Sequence, residues 1–229
     1  MFRYQYDFML FLFRDIMASE NVSKGVAEFI GTFFLTLTIF IAAVGGMAGF
    51  FAPMAIGLTL MVMIYALGHV SGAHFNPAVS IALFIKGDCK KDELPVYVGA
   101  QILAGVVAWI VGSKIILADL EISEFDFGAT KAVLAAEALF TFALVYVIIN
   151  VATEQSGNQF YGAAIGLTVM AGAFTVGAIS LGSFNPAVTT MLTASGAMAA
   201  SDIWLHLVPQ LAGAIAAVYV HKATQITAE

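Results

Sequence analysis

The sequence predicts an all-α membrane protein of six transmembrane helices and two re-entrant half-helices, arranged as an inverted-topology repeat. Three observations lead there: the extent of the apolar content, the number of stretches long enough to cross a bilayer, and a self-similarity at one fixed offset. Of 229 residues, 61% are apolar and 10% charged, against roughly 45–50% and 25% in a soluble domain. A mean hydropathy of +0.94 spreads that content over the whole length, so most of the chain belongs in lipid. The same composition excludes disorder, coiled coil and collagen.

Residues 1–23 form an N-terminal segment that is aromatic and apolar but interrupted by Asp7, Arg14 and Asp15. It lacks the unbroken core and small-residue cleavage site of a signal peptide and reads as an interfacial helix on the cytoplasmic leaflet, with Met17 as a rival start. Spans follow at 24–46, 52–71, 94–117, 130–152, 161–180 and 202–222, each close to the about 20 apolar residues that a crossing needs. Two further apolar stretches, 76–85 and 185–194, are too short to cross. Lipid tolerates such segments only where helices cover them or where they line a cavity, so they read as re-entrant.

Six spans put both termini on one side. Arg3, Arg14, Lys24, Lys86, Lys90, Lys91 and Lys222 fall on that side, and Lys114 and Lys131 on the other. The excess of cations predicts a plasma or inner membrane protein with both termini in the cytoplasm. The connection 119–129, carrying Asp119, Glu121, Glu124 and Asp126, then faces outward as a solvated loop. A net charge of −6 without a basic stripe argues against nucleic acid as a partner. Cys89 is the only cysteine and reads as a packing or loop thiol. No nucleophile with a base, metal cluster or phosphate loop is visible, so neither an enzyme nor a cofactor is expected.

Sliding the sequence by 109 residues superposes Ala27-Glu28 on Ala136-Glu137, Ala55–Thr59 on Ala164–Thr168, Phe75–Val79 on Phe184–Val188, and Gln101 on Gln210. The chain therefore divides into a first repeat, 24–118, the connection 119–129, and a second repeat, 130–229. Each repeat holds three spans, an odd number, so the second enters the membrane from the opposite face. The short segments then approach each other from the two sides, and a binding or conduction site belongs near the midplane where they meet.

Each short segment opens Asn-Pro-Ala. Asn76 and Asn185 are favoured N-caps, Pro77 and Pro186 suit the first helical position because proline has no N–H to leave unsatisfied, and Ala78 and Ala187 complete the turns. The two N-termini carry about half a positive charge each and face one spot, an arrangement that repels cations and presents amide donors to a solute oxygen. The preceding stretches, 68–75 and 177–184, are rich in Gly and Ser, which predicts unwound loops with inward carbonyls. His74, in the first of them, reads as pore-lining or loop-ordering. His206 and His221 carry no functional signal in the sequence. Gln101 and Gln210 read as hydrogen bonders between packed helices.

AEFIGTF at 27–33, GHVSGAHFNPAVS at 68–80, AEALFTF at 136–142 and SFNPAV at 183–188 together resemble the aquaporin, or major intrinsic protein, family, and the resemblance covers about residues 24–222. It implies a pore through each subunit, passive passage of small neutral solutes and water, proton exclusion, and a homotetramer. Glu28 and Glu137, the only acids in the predicted spans apart from Asp202 at the very start of the last, would be a proton or ion relay in a transporter. Their repeat-equivalent placement favours a structural role instead, and the resemblance implies that they hold the backbone of the re-entrant loops.

Selectivity in the family rests on an outer constriction of one residue on the second span, one on the fifth and two in the second loop. Counting from the two asparagines, these positions fall on Ile56, Ala173, Gly182 and Val188. Most members carry Arg at the last of them. Val supplies neither the fixed charge, the donors nor the bulk of a guanidinium, so an apolar ring, wider than a water-only filter, is expected. It favours glycerol-, urea- or metalloid-hydroxide-like solutes, with water passing too. The alternatives are a strict water channel, a coupled secondary transporter, and a non-conducting structural membrane protein.

Overall fold

In a computed structural model, residues 20–225 are described. The interfacial helix expected before the first span lies outside them up to residue 19. Residues 20–23 form the first turn of α1. The elements are α1 Glu20–Ile39, α2 Ala52–Ser71, the half-helix α3 Pro77–Lys86, α4 Glu93–Val111, α5 Thr130–Ile148, α6 Tyr161–Ser180, the half-helix α7 Pro186–Ser195, and α8 Trp204–Gln225. Six of these, with their flanking turns, are long and apolar enough to span a bilayer, and no strand occurs among the described residues. Exposed apolar side chains such as Leu103, Leu139, Val208 and Tyr219 cover the outside, where lipid tails are the solvent.

Local chemistry sets the helix ends. The half-helices start at Asn76 and Asn185, each followed by Pro, and stop at Gly87 and Gly196 in the left-handed conformation, which glycine adopts without the Cβ penalty. Helices α1 and α5 both finish in a π-helical turn, Phe40–Val44 and Ile149–Thr153, at the 109-residue offset of the repeat. Helices α2 and α6 end at Ser71 and Ser180, the ends expected of the spans 52–71 and 161–180, and so take in Gly68–Ser71 and Gly177–Ser180, which the Gly- and Ser-rich composition assigned to the loops. The N–H groups of Gly72 and Leu181 donate to the carbonyls of Gly68 and Gly177, closing one more turn. The unwound stretches are therefore only 72–76 and 181–185, not the longer loops expected.

Packing follows the same symmetry. Helix α1 packs on α4 and α2, and α5 on α8 and α6, while α2 crosses α6. That crossing runs through Gly57 and Gly166. A Cβ on Gly57 would lie 2.6 Å from the Gly166 carbonyl oxygen, and one on Gly166 2.5 Å from that of Gly57, so only glycine allows the approach. Each half-helix is covered by the last span of the other half, α3 by α8 and α7 by α4. The halves are thus interlocked rather than side by side.

Charges gather at one end of the bundle. Lys24 Nζ contacts Glu20 Oε1 at 2.5 Å and Glu93 Oε1 at 2.7 Å, tying α1 to α4. Lys86 Nζ lies 2.7 Å from Asp88 Oδ2 and 2.8 Å from Glu154 Oε1, with His221 Nε2 3.3 Å from the same Glu154 oxygen. The hydrogen bond from Lys86 holds the Glu154 carboxyl below the usual glutamate range. A depressed folded-state value means that the stabilisation is present at neutral pH and lost as pH falls through that range. The Glu154 side chain is 39% exposed, so the pair contributes less than about 1 kcal/mol. Glu154→Gln is expected to lower the melting temperature slightly at neutral pH and to flatten its decline below about pH 5. Superposable pH–melting curves for the two proteins would contradict this.

Candidate functional site

The centre of the molecule is built on two buried carboxylates. Glu28 Oε1 accepts from Ser71 Oγ at 2.6 Å and from the His74 N–H at 2.9 Å, while Oε2 accepts from the Phe75 N–H at 2.6 Å and Gln101 Nε2 at 2.8 Å. Glu137 repeats the pattern with Ser180 Oγ at 2.7 Å, the Ser183 N–H at 3.1 Å, the Phe184 N–H at 2.8 Å and Gln210 Nε2 at 2.8 Å. Each carboxylate therefore satisfies two backbone donors of a re-entrant loop, groups that would otherwise be stranded without water. The glutamine amides also donate onward, Gln101 to Ser80 Oγ and Gln210 to Thr189 Oγ1, both at 3.0 Å, as the helix-packing reading requires.

These clamps sustain an unfavourable backbone. Phe75 and Phe184 both sit at φ +49°, and Ala73 and Leu181 are left-handed as well, at +53° and +64°. For residues other than glycine this costs about 1–2 kcal/mol each. The strain turns the chain so that the half-helices point at each other. Asn76 Oδ1 accepts from the Ala78 N–H and Asn185 Oδ1 from the Ala187 N–H, each at 2.9 Å, the N-cap bond expected from the sequence. Each asparagine amide also reaches across the repeat: Asn76 Nδ2 donates to the Phe184 carbonyl at 2.8 Å, and Asn185 Nδ2 to the Phe75 carbonyl at 2.9 Å. One hydrogen on each Nδ2 is thereby engaged, and one remains for a solute.

Three cavities lie in series. A wide one of about 460 Å³ opens among Phe50, Ser123, Phe125 and Phe174, at the end of the acidic connection. Another of about 340 Å³ opens among Lys24, Asp88, Lys90 and Glu93, at the charged end. Between them lies a narrow cavity of about 50 Å³ lined by Asn76, Asn185, Val79 and Val188, room for about three to five waters. It shares Ile39, Ala43, Ile56, Ala173 and Leu181 with the wide cavity, and His74 and Ile148 with the other. Among the described residues, the carbonyls of 72–74 and 181–183 accept no hydrogen bond from the protein, which leaves them available to a passing solute.

The narrow cavity brings together Asn76, Asn185, Ile56, Ala173, Gly182, Val188 and His74. Pro77, Ala78, Pro186 and Ala187 lie buried behind it as the first turns of α3 and α7. His74 Nδ1 lies 3.0 Å from Ser80 Oγ, and its counterpart Ser183 Oγ lies 2.8 Å from Thr189 Oγ1, so the imidazole occupies a loop-fastening position. The sequence reading missed His206. Its Nε2 donates to the Ser180 carbonyl at 2.7 Å, just as Tyr97 Oη donates to the Ser71 carbonyl at 2.6 Å. The signal was present, since Tyr97 and His206 are 109 residues apart, but two side chains so different do not look equivalent in sequence.

The profile of the family described as Major intrinsic protein matches residues 15–172 and 130–228. The chain belongs to the major intrinsic protein family. Among its relatives is the putative aquaporin NIP4-1 of Arabidopsis thaliana, 33% identical over 216 residues that make up 89% of this chain and 75% of that protein. Aquaporin NIP1-1 of Zea mays is 32% identical over 226 residues, covering 93% and 78%. The solved aquaglyceroporin of Plasmodium falciparum shares the fold, with a TM-score of 0.75 at 22% identity over 90% of this chain and 97% of that one. As an aquaporin-family protein the chain is a multi-pass membrane channel and not an enzyme.

The symmetry of the carboxylate network makes a quantitative expectation. Glu28→Gln and Glu137→Gln each replace an acceptor oxygen by an amide that faces donors, so each should cost about 3 kcal/mol or more. Thermal unfolding of the detergent-solubilised protein measures this. Comparable losses at both sites are expected, and an unchanged melting temperature at either would contradict the clamp.

Proposed function

We propose that this channel passes small uncharged solutes, of glycerol, urea or metalloid-hydroxide type, together with water, and excludes protons at the facing N-termini of α3 and α7. The observation that carries the proposal is the apolar outer end of the narrow cavity. Ile56, Ala173, Gly182 and Val188 all line that cavity, the first two where it meets the wide one, and none of them brings a charge or a side-chain donor. A solute with some apolar surface loses less there than at a guanidinium. At the centre, Asn76 and Asn185 each retain an N–H for a solute oxygen, and the two half-helix dipoles oppose a cation.

A coupled transporter needs an ion site, yet both buried carboxylates are already engaged by four donors each. Strict water selectivity is the second reading, favoured by the central volume of about 50 Å³. The proposal places both termini in the cytoplasm of a plasma or inner membrane, with the Lys-rich mouth inside. It treats 24–118 and 130–229 as inverted repeats and the assembly as a homotetramer with one pore per subunit.

Stopped-flow light scattering on proteoliposomes under water, glycerol and urea gradients tests the solute reading, comparing the native channel with Val188→Arg. Glycerol or urea flux is expected in the native protein and should fall about tenfold or more in the variant, with water flux retained. A native channel that passes water alone would decide for the second reading.

A further inference from the structure

We infer that Leu181, a residue outside the four positions of the expected filter, sets the size limit for solutes at the outer end of the pore. Three observations converge on it. Leu181 lines both the wide outer cavity and the narrow central one, whereas Gly182 and Val188 line only the narrow one. It therefore stands, with Ile39, Ala43, Ile56 and Ala173, at the junction through which a solute must pass, and of the five it alone belongs to a re-entrant loop. Val188, by contrast, is only 2% exposed and is packed in a cluster with Phe40, Met191 and Leu192, against which Leu181 leans.

The second observation is conformational. Leu181 holds φ +64°, a left-handed geometry that suits glycine, and its repeat counterpart Gly72 holds φ +84° at the equivalent helix end. The first loop meets the requirement with glycine, and the second places a branched four-carbon side chain there. Strain kept at one copy of a repeated position, and absent from the other, points to what that side chain does in the pore.

The third observation is comparative within the chain. Val79 and Val188 occupy equivalent positions and both line the narrow cavity, so Val188 does not distinguish the outer end from the inner one. The loops differ in bulk at both ends, His74 against Ser183 and Leu181 against Gly72, and of the two larger side chains Leu181 is the one that reaches the wide outer cavity. The contribution is steric and apolar: a γ-branched hydrocarbon closes the junction to wide solutes and offers nothing to a hydrated ion.

The inference rests on the proposed solute channel for the class of substrate, and its test separates the two. Proteoliposomes carrying the native protein, Leu181→Gly, Leu181→Ala and Leu181→Asn are assayed by stopped-flow light scattering with glycerol, erythritol and xylitol. Leu181→Gly and Leu181→Ala are expected to raise the xylitol-to-glycerol permeability ratio about tenfold. Leu181→Asn, with the same four-atom branched outline and tolerant of the left-handed region, should keep the ratio closer to native than either truncation. A ratio unchanged in both truncations, while the native channel passes glycerol, overturns the role of Leu181 and leaves the solute reading standing. The same increase in Leu181→Asn as in Leu181→Gly also overturns it, because volume would not be the cause. A native protein closed to all three polyols, with Leu181→Gly passing glycerol, upholds Leu181 as the constriction and overturns the solute reading.

Discussion

A backbone that turns back inside a bilayer leaves N–H groups that no water can reach, and the architecture depends on how those groups are satisfied. Glu28 and Glu137 do it. Each takes two loop N–H groups, a serine hydroxyl and a glutamine amide, and the loops can then hold phenylalanines in left-handed geometry. Without that turn the two Asn-Pro-Ala segments would not meet. The carboxylates are thus remote from the solute path in role while setting where the path lies.

The rest of the site divides into what the two repeats share and what they do not. Shared are the asparagine caps, the cross-repeat amide bonds, Val79 with Val188, and the glycine crossing of α2 and α6. These build a pore with similar halves. Differences appear at its two ends, where Leu181 replaces a glycine and His74 replaces a serine. Selectivity requires one narrow place rather than two equal ones, and such departures from symmetry are where a repeat protein can supply it. The two mouths differ also in charge, since Lys24, Lys90, Asp88 and Glu93 line one and aromatic side chains the other.

Much of this was legible in the sequence. The spans, the short segments and the equivalence of Glu28 with Glu137 follow from apolar length and one offset, because lipid forces hydrophobic runs of fixed length and symmetry forces recurrence. Apolar length gave the ends of α2 and α6, whereas composition read Gly68–Ser71 and Gly177–Ser180 as loop, because a Gly- and Ser-rich stretch does not show the backbone bonds that close its last helical turn. His206 was invisible because its equivalence to Tyr97 lies in a carbonyl partner rather than in side-chain type. Leu181 escaped for a related reason: its importance is a φ angle, which only its alignment with Gly72 hints at.

The central claim is that two half-helix N-termini, fixed nose to nose by the carboxylate clamps, let neutral molecules pass and stop protons. Proton flux into proteoliposomes loaded with a pH-sensitive dye tests it most directly, measured on vesicles already shown to swell or shrink through the channel. The account predicts acidification no faster than in protein-free vesicles under an imposed gradient. Proton entry that rises with the amount of channel reconstituted would contradict it.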